Sequence, residues 1–174
     1  MILIFKKNNR GFTLLEAILA VFVTAVGVLG AYGFSQQILA YSSLSNSNFT
    51  AAYLAKEGIE IVRNIRDSNW VEEAASGVDI AWDYSLDAGD YEVYYNANLS
   101  SASGNCLNLN NLKLETVTGL FGYGAVGNRT KYKRKITIES LADGSLRVSS
   151  EVCWQEKGQT KSITAQDILY EWWQ

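Results

Sequence analysis

The chain has no histidine and no proline, and only two cysteines among its 174 residues. Without histidine, an enzyme would have to rely on a carboxylate pair, a lysine or a cysteine nucleophile, and no recognisable constellation of these is present. The reading is therefore of a protein that is not an enzyme, with no cofactor, no metal and no small-molecule substrate. Without proline, nothing forces a helix to stop between Phe12 and Asp67. Charge is also scarce in one place. From Phe12 to Leu39 the only charged residue is Glu16.

That apolar run covers 28 residues, or roughly 42 Å as a helix, enough to cross a ~30 Å hydrocarbon core. Lys6, Lys7 and Arg10 precede it with no acid among them, a bias that keeps the N-terminus cytoplasmic. Beyond residue 40 the balance reverses, with 12 Lys and Arg against 17 Asp and Glu. The exported part thus lacks the overall basic field of a nucleic-acid binder, and nucleic acid is not an expected partner. Cys106 and Cys153 both fall in that part, where a disulfide is chemically permitted.

Three readings of the N-terminus compete. A cleaved secretory signal needs an apolar core of 7 to 15 residues and a small-residue cut site, and this run is too long. A plain signal anchor fits the length and the flanking charge but leaves Glu16 unexplained. A carboxylate near the start of an apolar span costs about 2.5 to 3.5 kcal/mol on insertion scales, so it persists only with a partner or a function. The string Arg10-Gly11-Phe12-Thr13-Leu14-Leu15-Glu16 supplies one. It resembles the processing site of type IV prepilins and type II secretion pseudopilins.

The resemblance implies a leader, residues 1–11, removed by prepilin peptidase after Gly11, with Phe12 becoming the N-methylated first residue. It implies that Glu16 meets the new N-terminal amine of a neighbouring subunit, so that both charges are neutralised in a low-dielectric filament core. Glycine at the cut has its own rationale, because a residue without Cβ lets a protease approach the backbone closely. Residues 12–39 then form the membrane-spanning and filament-core helix.

The helix is expected to continue to about Asp67, with 40–69 as its amphipathic half. Lys56, Glu60, Arg63 and Asp67 share one face, while Leu54, Ala55, Ile59, Val62 and Ile65 occupy much of the rest. Gly27, Gly30 and Gly33 each cost about 1 kcal/mol in helix propensity. Close helix packing, local flexibility and simple tolerance of glycine in membrane helices all remain open for them.

Residues 70–174 read as a globular β-rich head. Tyr91, Val93 and Tyr95 alternate with Glu92, Tyr94 and Asn96 as one strand, and Asn96 to Asn111 reads as an irregular surface loop. Lys131–Leu141, Ser145–Gln155 and Thr160–Ile168 form a meander with turns at Asp143-Gly144 and Lys157-Gly158. In its middle strand Cys153 has the parity opposite to Leu146, Val148, Val152 and Trp154. Facing away from the core, it suits a bond to Cys106 that pins the Asn-rich loop over the outer face; two unpaired thiols are the alternative. The expected fold is α+β and pilin-like. The amphipathic half of the helix packs on the face bearing Ile136, Ile138, Val148 and Val152, with Trp154, Trp172 and Trp173 closing the core.

Two further patches have bland readings. Asp79, Asp83, Asp87 and Asp90 lack EF-hand spacing and read as a solvated acidic loop. Arg129, Lys131, Lys133, Arg134 and Lys135 spread over both faces of a strand and read as a solvated edge. The N-x-S/T matches at Asn48, Asn98 and Asn128 carry almost no weight in a chain that resembles bacterial prepilins. The reading that results is a structural filament subunit, single-pass in the bacterial cytoplasmic membrane before assembly and extracellular or periplasmic afterwards. Its expected partners are prepilin peptidase, other pilin subunits and the pilus assembly platform. Within the family, Ala52–Trp70 and the meander ending at Trp172-Trp173 look most like minor pilins of the type IV pilus modification kind. The alternatives are a type II secretion pseudopilin and a membrane-anchored extracellular binding module.

Overall fold

The computed structural model describes residues 11–96, 99–124 and 127–171. Lys6, Lys7, Arg10, Asn98, Trp172 and Trp173 lie outside the described residues. The chain divides into two units, Met1–Ser45 and Asn46–Gln174. One helix, α1, runs Leu14–Ser76.

In the first unit the side chains from Leu14 to Ser43 are exposed, and Leu15, Val21 and Leu29 are among the large hydrophobics so placed; only Leu44 is half-buried. The polar groups of this stretch are handled locally. Thr24 donates to the Ala20 carbonyl at 2.7 Å and Ser35 to the Ala31 carbonyl at 2.9 Å. Hydroxyls folded back onto the helix in this way need no water.

In the second unit α1 ends at Ser76 rather than near Asp67. Glu72, Glu73, Ala74 and Ala75 are good helix formers, and the first residue able to stop them is Gly77. It takes a left-handed φ of 68° and donates its N–H to the Glu73 carbonyl, a common helix C-terminal arrangement. The extension has its own anchor. Asn69, buried, donates to the carbonyls of Trp82 and Tyr84, tying the following loop to the helix.

Five antiparallel strands form the main sheet: β1 (Gly89–Val93), β2 (Leu99–Ser101), β6 (Lys133–Ser140), β7 (Leu146–Glu156) and β8 (Gln159–Leu169), in the order β2-β1-β6-β7-β8. A smaller sheet joins β3 (Lys113–Leu114), β4 (Phe121–Gly122) and β5 (Asn128–Arg129) in the order β4-β3-β5. The β6–β7–β8 meander is the one expected, and Lys157 and Gly158 both adopt positive φ in its tight second turn. β1 stops at Val93, so Tyr95 is not a strand residue, and the Asn-rich segment contains β2 and a 3₁₀ turn, Cys106–Asn108.

The helix packs on the sheet in two adjoining clusters. Ile59, Val62 and Ile65 meet Ile136, Ile138, Val148 and Leu146; Ala51, Leu54 and Ala55 meet Val152, Trp154, Tyr132 and Leu112. Each large aliphatic side chain so buried contributes about 1.5 to 3 kcal/mol. The closest approach is at Gly58, where an added Cβ would lie 2.4 Å from Ser150 Oγ and 2.8 Å from Ile136 Cδ1.

The basic strand is not a solvated edge. β6 is the central strand, and Arg134 is fully buried beneath the helix. It donates to the Leu54 carbonyl at 3.2 Å, the Val93 carbonyl at 2.9 Å and the Glu57 carboxylate at 3.2 Å. A guanidinium can be buried only when such acceptors meet its fork of donors. They come from elements far away in sequence, so alternation alone pointed the wrong way.

Candidate processing and assembly site

The N-terminal site is built by the first turn of α1. Gly11, Phe12 and Thr13 precede the helix without regular structure. Among the described residues no atom lies within 4 Å of where a Gly11 Cβ would stand, and Phe12 is 78% exposed.

Thr13 starts the helix. Its Oγ1 accepts the Glu16 N–H at 3.3 Å and its carbonyl accepts the Ala17 N–H at 3.1 Å. Thr13-Leu14-Leu15-Glu16 has the spacing of a capping box, and the acid lies in the first turn, where the helix dipole favours negative charge. This local role is legible in the Thr-x-x-Glu spacing. It does not use up the carboxylate. Glu16 is exposed, and no cation pairs with it among the described residues. A group that is costly in lipid and unpaired among the described residues calls for a partner.

Around Gly27, Gly30 and Gly33 the helix is unbroken, and a Cβ at any of them would meet nothing within 4 Å. Among the described residues these glycines accommodate no neighbour. From Leu14 the helix is long and apolar enough to cross a membrane.

The cysteines form a disulfide, Cys106–Cys153. Cys153 faces away from the helix, as its parity required, and both residues are buried because the loop is drawn over the outer face of β6 and β7. Glu92 and Lys133 add to this clamp. The Glu92 carboxylate accepts the Asn110 N–H at 2.6 Å, and Lys133 Nζ donates to the Leu107 carbonyl. Of the acidic loop, Asp90 belongs instead to β1, accepting from Thr137 at 2.6 Å and pairing with Lys135.

One network escaped the sequence reading. The Glu156 carboxylate accepts from Trp154 Nε1 at 2.9 Å, Lys131 Nζ at 3.2 Å and Ser47 Oγ at 3.3 Å, closing the Ser47 end of the head. The Trp154 hydrogen bond, helped by Lys131 and Ser47, holds its carboxyl below the usual carboxylate range.

With this geometry in view, the comparison with known families is specific. Residues 6–32 match the family described as the prokaryotic N-terminal methylation motif, the signature of type IV prepilins and pseudopilins. The motif supports a type IV pilin-like or pseudopilin protein, and the α+β arrangement of long helix and antiparallel sheet is consistent with the pilin fold. No curated protein and no solved structure matches the chain significantly.

Proposed function

We propose that the chain is a filament subunit made as a prepilin. Prepilin peptidase removes residues 1–11 after Gly11, and Phe12 becomes the N-methylated first residue. Residues 12–39 hold the subunit in the cytoplasmic membrane, N-terminus inside, until the assembly platform passes it into an extracellular or periplasmic filament. Glu16 then pairs with the Phe12 amine of a neighbouring subunit. The head, from the amphipathic half of α1 onward, has a structural and not an enzymatic role.

One observation carries this reading. A helix beginning at Leu14 presents its first apolar side chains uncovered, with a single carboxylate in its first turn that has no cationic partner among the described residues. A membrane alone satisfies the apolar surface but not the acid. A filament core, in which each helix meets others and each Glu16 meets an amine, satisfies both. A secretion pseudopilin uses the same chemistry; a plain anchor for a binding module leaves Glu16 unpartnered.

Mass spectrometry of the protein from native membranes tests this directly. The expected N-terminus is N-methylphenylalanine at Phe12, and an intact Met1 start would sink the proposal. Glu16→Ala is expected to be cleaved and inserted normally, since an uncharged span enters the membrane more readily, and to fail in assembly.

A further inference from the structure

The main sheet ends in two unequal edges. β2, on one side, is three residues long, whereas β8, on the other, runs eleven residues from Gln159 to Leu169 and is matched to β7 at every position. It contains no proline, and its continuous register leaves no bulge. A long, regular edge of this kind is a template for another strand.

The direction of its free backbone groups follows from the hairpin. Glu156 and Gln159 close the two-residue turn at Lys157-Gly158, so Gln159 turns its N–H and C=O toward β7. Alternation then sends those of Thr160, Ser162, Thr164, Gln166 and Ile168 outward. The Ile168 N–H agrees, being bonded to its own Asp167 Oδ1 at 2.9 Å and not to β7. Side chains alternate as well. Lys161, Ile163, Ala165 and Asp167 lie on the half-buried side, and Ser162, Thr164 and Gln166 on the exposed side.

We infer that β8 pairs antiparallel with β8 of a second copy of this chain, centred on Thr164. Thr164 is the midpoint of the strand, so this register uses its whole length. Thr164 meets Thr164, Ser162 meets Gln166 and Thr160 meets Ile168, and every outward N–H finds a carbonyl. On the half-buried side the same register sets Lys161 opposite Asp167 at both ends, with Ile163 against Ala165 between them. These positions fall between the hydrogen-bonded pairs, where side chains approach most closely. Asp167 already accepts from Arg63 at 2.6 Å. Once the Ile168 N–H turns to the partner's Thr160 carbonyl, Asp167 Oδ1 is released for the incoming ammonium. A slip of two residues would set Lys161 against Ala165 or Leu169, and a slip of one would join the buried side of one sheet to the solvent side of the other. Because the strand's charges complement the strand itself, the occupant of the edge is a second copy. The contact is a closed two-fold one. Subunits within one filament follow a screw, so under the filament reading the partner belongs to a neighbouring filament.

The test uses the full-length chain, solubilised in detergent with its Cys106–Cys153 bond intact. Thr164→Cys, treated with a short bifunctional maleimide, is expected to give a covalent dimer and nothing larger, since the two Cα atoms lie about 5.5 Å apart in the pair. Thr160→Cys stays monomeric, its two copies being about 27 Å apart, whereas Thr160→Cys with Ile168→Cys in one chain cross-links. In the Thr164→Cys chain, Lys161→Glu lowers the cross-linked fraction about tenfold, because like charges replace both attractive contacts. Folded chains in which Thr164→Cys stays monomeric, or in which Thr160→Cys cross-links to itself equally well, overturn the pairing. An undiminished cross-link after Lys161→Glu, or Thr164→Cys captured in intact cells by a different protein alone, overturns the choice of a second copy. None of these outcomes bears on processing at Phe12, because the pairing is measured outside a filament.

Discussion

Residues 14–45 and 46–76 belong to one helix, yet they solve the burial problem in opposite ways. In the first stretch apolar residues occur on every side and only Glu16 is charged, and all of them but the half-buried Leu44 are exposed. In the second, Ala51, Leu54, Ala55, Ile59, Val62 and Ile65 form a stripe that the chain covers with its own sheet. A stripe can be satisfied by one partner surface, whereas an all-round apolar helix needs a solvent or a lattice of like helices. The difference teaches that composition around the helix, not helix propensity, separates the part that folds alone from the part awaiting company.

The comparison can be broken most severely at the cut. Gly11→Leu should leave the leader in place, because side-chain bulk blocks the approach to the backbone. An immunoblot or intact-mass measurement would show the unprocessed form in place of the mature one. Glu16→Gln comes next and separates two roles. Glutamine still serves a capping box, so cleavage and helix content are expected to persist, while the fraction of sheared filaments falls to background for want of a charge partner. Normal filament yield from this variant would reduce Glu16 to a local cap.

The second stretch is probed by stability. Cys106→Ser with Cys153→Ser releases a link between residues 47 apart in sequence, and the chain-entropy view assigns it about 4 kcal/mol. Denaturant unfolding of the detergent-solubilised protein should show a lower midpoint, with the apolar stretch unaffected. Gly58→Val should cost less, about 1 to 3 kcal/mol, the usual range for overpacking a tight contact. An unchanged midpoint would mean that the helix can lift off β7 freely.

The smallest effect concerns pH. Because the folded-state carboxyl of Glu156 is depressed, its contribution to stability is present above the ordinary value of 4.5 and disappears as pH falls through the folded value. Glu156→Gln should therefore flatten the acid-side loss of stability without altering the neutral-pH fold. An identical acid profile in the two proteins would show that the Ser47–Lys131–Trp154 cluster is not titrated through this group.

Much of this was readable from the chain because it depends on neighbours in sequence. The lack of proline gave the unbroken helix, alternation with Asp143-Gly144 and Lys157-Gly158 gave the meander, and parity gave the outward side of Cys153. The motif from Arg10 to Glu16 is likewise a contiguous string. β3, β4 and β5, at two residues each, are too short for any period to register. The helix end at Gly77 was missed because Trp70 looked like the start of a new pattern, when it is a buried residue of the same helix.

Arg134 marks the dividing line. A charged residue flanked by Lys133 and Lys135 reads as solvated, and nothing nearby in sequence contradicts that. Its burial depends on carbonyls of Leu54 and Val93, which reach it only after helix and sheet have packed. The methylation motif, the apolar span and the acid at its start are thus legible from local chemistry, since each lies on a continuous stretch of chain. Which polar groups are hidden and how the Asn-rich loop is clamped follow from packing, since each needs groups that the sequence holds far apart.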